Sequence, residues 1–529
     1  MPASDIAEHP TRSPLRSARI ALGRWKGLSP LDALPLVTTA IVYLPLTRGY
    51  FFADDFLNLY SIVNDYRPEY LLRPDGGHLL ITRNALFILF HALFGVRAQL
   101  YFAAVLATHL LNVVLLQRAL LHWTDSPPLA ALGAIMWGTC PVQTGALEWY
   151  SVYGQVVVGT ILLVILNTAS RLWQSGETPG RSVIVVWPLL LVVASTCFGV
   201  GIGLTIVAPV AFFLLLPRSP RRWQVCLALL VLALAVPYGY RALMEEYDQV
   251  AGNVRAMFGL SMKLAGLGYP QQILLMLGDL LSYGIAAIVL GFAAVPSQFP
   301  TWGPALFTVL FAGAFLATLG LAPGRVRRVA LGLLLLAVAC YAMIALGRAL
   351  YAKSVAEAAA RTRYHYVATI PLVALLCLMI NQLTARVRRR AGLHGLMLLT
   401  WMGGSLWFYA QAEPFIDLHA SARSETAEVL ENFRQTIASA APGQEVRIRN
   451  RPFRSIGLLL LNPGMGFPGS AGIYTIFFPA NVVDGRPVRF VVSDPAIVDA
   501  AASGRRTRDL FVLDGAAPSP PPSPAPAMF

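Results

Sequence analysis

Charge is scarce in this chain. Asp, Glu, Lys and Arg together make up 13% of its 529 residues, about half the share of an ordinary soluble domain, which excludes a water-solvated globule for the chain as a whole. Acids are scarcer than bases, 27 against 41. The excess bases sit in short clusters between apolar runs, with no basic stripe on a folded domain, which argues against nucleic acid as a partner. The five cysteines, Cys140, Cys197, Cys226, Cys340 and Cys377, have no paired spacing, so neither a disulfide framework nor a cysteine metal centre is expected. No small-residue cleavage site follows the first apolar run, which therefore reads as a span and not as a signal peptide. No internal repeat stands out.

Apolar residues are abundant: 56% of the chain is hydrophobic and mean hydropathy is +0.60. Runs near the roughly 20 residues needed to cross a hydrocarbon core recur between residues 33 and 410. Candidate spans are 33–50, 99–121, 128–147, 154–172, 183–199, 202–217, 223–240, 303–322, 328–347, 365–383 and 393–410. The fold class expected is an all-α polytopic membrane protein of about 11–13 transmembrane helices followed by a small soluble α/β domain.

Lys and Arg concentrate on the cytoplasmic side of membrane proteins. This places the N-terminal segment 1–32 inside, together with the clusters around Arg218–Arg222, Arg325–Arg328 and Arg386–Arg390. The long segments 51–98, 241–302 and 348–364 then fall outside. Residues 271–294 are apolar enough to cross, but one extra crossing would invert every later loop. A re-entrant element, or a second crossing within 252–268, is therefore expected. His78–Gly95 reads as one amphipathic helix lying on the membrane. From residue 411 the pattern becomes soluble: a helix at 421–440 and several strand-like runs mark 411–514 as an extracytoplasmic α/β domain. The proline-rich tail 515–529 is expected to be disordered. Composition points to a bacterial inner membrane.

Three groups of residues can carry chemistry. Asp54 and Asp55, within Phe51-Phe52-Ala53-Asp54-Asp55-Phe56, are costly beside a bilayer. They are either a solvated loop or carboxylates at a cavity, taking a proton from an acceptor or holding a metal ion. Arg348, Arg361 and Arg363, with Tyr364 and His365, fit either a phosphate site or interfacial anchors. Glu148 caps a span beside Trp149. A single topology puts all three groups on one side.

In these residues the chain resembles the GT-C superfamily of integral membrane glycosyltransferases. The matches are FFADDFLNLY at 51–60, the Pro141 to Glu148-Trp149 pattern, and RTRYHYVATIPL at 361–372. The resemblance implies transfer of a sugar from a polyprenyl-phosphate carrier to a glycan, lipid or protein acceptor at the outer face. It gives Asp54 or Asp55 the role of general base, with the other orienting it or binding a divalent cation such as Mg or Mn. Arg348, Arg361 and Arg363 would neutralise the carrier phosphate, with Tyr364, His365, Arg83, His78 and Glu148 around the substrate. Several branches of the superfamily carry a Lys-Glu pair where this chain has Phe198-Gly199. For the Arg motif common early in the superfamily, Arg73-Pro74 and Arg83-Asn84 both compete. The alternatives are a transporter of a lipid-linked saccharide, or a polysaccharide polymerase or ligase built on arginines and a histidine such as His365 or His78.

Overall fold

The computed structural model describes residues 29–64, 67–72, 74–75, 78–245, 269–291, 302–349, 359–411 and 420–439, and short pieces of the C-terminal part. The chain is a bundle of helices: α1 (Pro30–Tyr43, continued as a 3-10 turn over Leu44–Arg48), α2 (Asp54–Asn64), α3 (Arg67–Leu72), α4 (Ile81–Phe94), α5 (Ala98–Thr124), α6 (Pro127–Gly138), α7 (Thr144–Leu147), α8 (Tyr153–Ser175), α9 (Arg181–Cys197), α10 (Gly199–Leu215), α11 (Pro220–Glu245), α12 (Tyr269–Leu290), α13 (Gly303–Leu321), α14 (Gly324–Arg348), α15 (Thr369–Leu383), α16 (Arg390–Gln411) and α17 (Ala420–Ser439). A two-residue hairpin pairs β1 (Pro74–Asp75) with β2 (His78–Leu79) between α3 and α4.

Local chemistry sets the helix ends. Ser29 and Asp32 form a reciprocal capping box at the start of α1, with Pro30 in the first position, where its missing N–H costs nothing. Asp125 and Gly176 end α5 and α8 in the left-handed conformation, a common way of stopping a helix.

Seven described segments are long and apolar enough to cross a membrane: Pro30–Arg48, Ala98–Thr124, Tyr150–Ser175, Pro220–Tyr240, Pro270–Leu290, Gly303–Leu321 and Gly324–Arg348. The chain is an integral membrane protein. The expected spans 128–147, 183–199, 202–217 and 365–383 are shorter apolar helices, and 393–410 lies within the 22-residue α16. The run 128–147 breaks at Thr139-Cys140, because Pro141 opens a 3-10 turn, and α9 and α10 have 17 residues each. The segment 271–294, expected either as a re-entrant or interfacial element or as a crossing paired with a second one within 252–268, is one continuous helix of 22 residues, α12, long and apolar enough to cross, which agrees with the second expectation and not the first. The partner crossing within 252–268 lies outside the described residues.

Contacts sort the helix ends into two groups. At one end Arg221 donates to the Pro179 carbonyl (3.0 Å), Arg325 lies over the Trp173 ring (4.4 Å), and His394 bonds Ser126 and Thr384 (2.9 Å each). All three arginine clusters therefore gather there. At the other end the Cys140 thiol donates to the Ala287 carbonyl near the end of α12 (3.3 Å), and Leu79 N–H donates to Tyr240 near the end of α11 (2.7 Å). α11 and α12 therefore both finish at this second end. Tyr50, just after α1, is hydrogen-bonded to Thr426 of α17, so the first helix beyond the bundle docks at the same end.

A polar tie crosses the bundle core. His109 of α5 is fully buried. Its Nε2–H donates to the Gly138 carbonyl (2.9 Å), which leaves Nδ1 to accept from the Tyr366 hydroxyl (2.9 Å). Asn112 donates to the same hydroxyl (3.1 Å), and the Trp137 indole donates to Thr369 (3.1 Å). These bonds fix α5, α6 and α15 relative to one another.

Beyond residue 411 the described parts are α17 and two antiparallel pairs, β3 (Glu445–Ile448) with β6 (Phe511–Asp514), and β4 (Val482–Val483) with β5 (Arg486–Pro487). Most of the expected α/β domain, and the whole tail 515–529, lie outside the described residues.

Candidate active site

Phe51, Phe56 and Tyr101 pack edge to face where the chain leaves α1, and this anchors a tight turn. Within it Ala53 adopts φ +44°, a left-handed conformation that costs a residue with a Cβ on the order of 1 kcal/mol and is held only by its surroundings. The next two residues, Asp54 and Asp55, open α2, where a helix N-terminus favours negative charge.

The two carboxylates face different surroundings. Asp55 is fully buried. Its Oδ1 accepts from both the backbone N–H and the hydroxyl of Ser151 (2.6 Å each), and its Oδ2 accepts from Phe52 N–H (3.0 Å). Burial pushes its pKa up to about 7, against those hydrogen bonds, which favour the charged form. Asp54 is partly exposed. Asn58 links the pair to its supports, donating to the Asp54 carbonyl (2.6 Å) and to Ser151 Oγ (3.1 Å), while Tyr70 donates to Asn58 (2.9 Å).

Arg83 lies beneath this turn, 4% exposed. It donates twice to Asn84 Oδ1 (3.0 and 2.7 Å) and reaches the Ser151 carbonyl at 3.5 Å. Asn84 in turn donates to the Tyr70 carbonyl (2.8 Å). Of the two competing Arg motifs, Arg83-Asn84 is thus built into the acidic turn, while Arg73 lies outside the described residues. The expected helix from His78 begins only at Ile81, because His78-Leu79 pairs as a strand with Pro74-Asp75. That hairpin takes His78 out of the helix.

Arginines meet on the far side of the 148–151 segment. Arg363 sits over the Trp149 ring (5.0 Å) and near the Tyr364 ring (5.2 Å). Burial raises the pKa of the Tyr364 phenol, but the charges of Arg348, Arg363 and Arg361 outweigh it and hold the group below its ordinary value of 10.0. Three guanidinium groups therefore converge on one phenol, an arrangement suited to an anion. The backbones of 144–147 and 362–364 touch so closely that a Cβ on Gly145 would overlap Thr362 and Arg363.

Glu148, between the two groups, is 3% exposed, and burial raises its pKa to about 8. Its Oε1 has no hydrogen-bond partner, as is true of the Tyr150 hydroxyl and the side-chain amide of Gln155. Buried polar atoms left unpaired are rare and mark functional or solvent-filled sites. A cleft beside Arg348 and Tyr364 is lined by Phe198, Gly199, Val200 and Met343, so the apolar Phe198-Gly199 hairpin forms one wall of the arginine site.

His365 does not join the site as expected. It is fully buried. Its Nε2–H donates to the Ala359 carbonyl (2.7 Å) and its Nδ1 accepts from Tyr341 (2.8 Å), so no ring nitrogen is left for a substrate. Burial lowers its pKa to about 4, which keeps it neutral. Asp55 is held by three hydrogen-bond donors, and no group of three His, Cys, Asp or Glu side chains forms among the described residues. Ser151 and Asn58 were not legible as site residues. A polar Ser-Val pair after Trp149-Tyr150 looks like any turn, and only the folded contact reveals its role.

No family model and no curated protein matches the chain. The solved structures similar to it include the following two. One is ArnT from Cupriavidus metallidurans bound to undecaprenyl phosphate, at 14% identity and TM-score 0.43, covering 89% of this chain and 94% of that one. The other is the Archaeoglobus fulgidus oligosaccharyltransferase tethered to an acceptor peptide, at 13% identity and TM-score 0.38, covering 71% of this chain. The present chain spans about half of that enzyme, 54% of its length.

Proposed function

We propose that this protein is a membrane glycosyltransferase that moves a sugar from a polyprenyl-phosphate donor to an acceptor at the end of the bundle holding Asp54. The observation that carries this reading is the short bridge Trp149–Ser151, which holds a buried carboxylate on one side through Ser151 and a guanidinium on the other through Trp149. The acidic pair and a guanidinium thus flank one segment, an arrangement suited to group transfer from a phosphate.

In this scheme Asp54 takes the proton from the acceptor hydroxyl or amine. The acceptor attacks the anomeric carbon, the bond from that carbon to the phosphate oxygen breaks, and the electron pair leaves on the phosphate. Arg348, Arg361 and Arg363 neutralise that charge. Asp55, held by three donors, orients its neighbour and keeps the strained turn in place. Arg83 supports the turn from below and Glu148 borders the substrate. No step is assigned to a metal ion.

A polymerase or ligase using His365 is less well supported, since both nitrogens of that residue are already bonded. A transporter is less well supported, because among the described residues the charges of the proposed site collect at one end of the bundle. We also infer that residues 411–514 form a small extracytoplasmic α/β domain, with the N-terminus cytoplasmic. The test is transfer from a mixed pool of polyprenyl-phosphate sugars, followed by mass spectrometry of the released lipid phosphate. Asp54→Asn should abolish release while leaving lipid binding intact, and full activity in that variant would overturn the assignment.

A further inference from the structure

The opposite end of the bundle carries a second basic site. Arg222, in the first turn of α11, is 7% exposed. Its guanidinium stacks on Phe213 at 4.0 Å, and its buried Nε has no hydrogen-bond partner. Arg218 and Arg222 act electrostatically on Arg328 of α14, as does Arg325. Arg325 in turn covers the Trp173 ring, whose own indole N–H is buried and unpaired. Among the described residues no carboxylate acts on either Arg222 or Arg328.

Four like charges drawn together from three helix ends repel one another, and two donors buried without acceptors add a desolvation cost. Topological sorting needs arginines at this end, but it does not need them to converge or to bury a guanidinium. An anion that accepts from Arg222 and Trp173 and lies among Arg218, Arg325 and Arg328 would relieve both costs. Trp223, 62% exposed beside Arg222, supplies the amphipathic ring typical of headgroup depth.

We infer that the ends of α8, α10 and α11 and the start of α14 form a binding site for the phosphodiester headgroup of an anionic glycerophospholipid in the leaflet opposite the proposed active site. A lipid is favoured over soluble phosphate because Phe213 and Trp223 place the guanidinium against the bilayer. The inference does not depend on the proposed glycosyl transfer.

The test uses the full chain in detergent, measuring thermal stabilisation and lipid retention by native mass spectrometry with phosphatidylglycerol, phosphatidylcholine and inorganic phosphate. Phosphatidylglycerol should bind selectively, and Arg325→Gln with Arg328→Gln should weaken it by about fivefold per arginine removed. The control Arg388→Gln with Arg389→Gln removes equal charge from the same end and should leave binding within twofold of wild type. These partly exposed positions avoid the folding risk of changing Arg222. Equal losses in both double variants, no preference for phosphatidylglycerol, or equal stabilisation by inorganic phosphate alone would each overturn the lipid site.

Discussion

The guanidinium of Arg363 rests 5.0 Å from the centre of the Trp149 ring, and two residues further along the chain Ser151 grips Asp55. Residues more than 200 positions apart in sequence are thus held by one short turn. The turn keeps its shape because 144–147 packs on 362–364 without a side chain at Gly145. This contact joins a carboxylate site to a cationic one.

Gly145→Val should separate them. The added side chain meets the Thr362 hydroxyl and the Arg363 backbone, and overpacking of this kind costs about 1–3 kcal/mol. A lowered thermal midpoint is expected, whereas Gly145→Ala should show a smaller change of the same sign.

Ser151→Ala removes one of two bonds to Asp55 Oδ1 and keeps the backbone donor. A loss of about 1–2 kcal/mol follows from one hydrogen bond to a charged group. Asp55→Asn should cost more, about 2–3 kcal/mol, because an amide nitrogen must then face a donor, either Phe52 N–H or the pair from Ser151. Denaturation monitored by circular dichroism in detergent ranks the two, and the reverse order would show that Ser151 matters apart from Asp55.

Glu148 predicts a pH signature. Its folded pKa of about 8 lies above the ordinary 4.5, so the native state holds its proton more tightly than the unfolded chain. The contribution to stability is fully present below about pH 4.5 and is lost as pH rises through about 8. The difference in thermal midpoint between wild type and Glu148→Gln should therefore shift against wild type from pH 5 to pH 8. A difference that stays constant with pH would place the carboxylate in water.

Arg363→Ala should weaken retention of a polyprenyl phosphate by about tenfold, the equivalent of one charge-assisted hydrogen bond. Arg348→Ala should act in the same direction, because it shares the field at Tyr364. In each variant the Tyr364 phenol should also titrate at higher pH, which ultraviolet difference spectra can follow. An unmoved phenol would separate the arginines from it.

Much of this protein was legible before folding. Apolar runs can be read locally, because a helix crossing lipid must satisfy its own backbone and present apolar side chains along its whole length. The arginine clusters read as lying on one side of the spans, and all three do gather at one end of the bundle. Asp54-Asp55 and Arg361-Arg363 drew notice because charge is costly near a bilayer wherever it falls. The break at Thr139-Cys140 and the start of α4 at Ile81 were harder to read, since a 3-10 turn at Pro141 and a two-residue hairpin at 74–79 leave little trace in an apolar run.

The roles within the site were decided by tertiary structure alone. Asp54 and Asp55 are equivalent as letters, and it is Ser151, reaching from another segment, that buries one carboxylate and leaves the other at the surface. His365 looked like a ligand beside arginines until Tyr341 and Ala359 occupied both of its nitrogens. A sequence records which groups are expensive to place in a membrane. Which of them remain available depends on hydrogen bonds between residues far apart in the chain, and those exist only once the helices have packed.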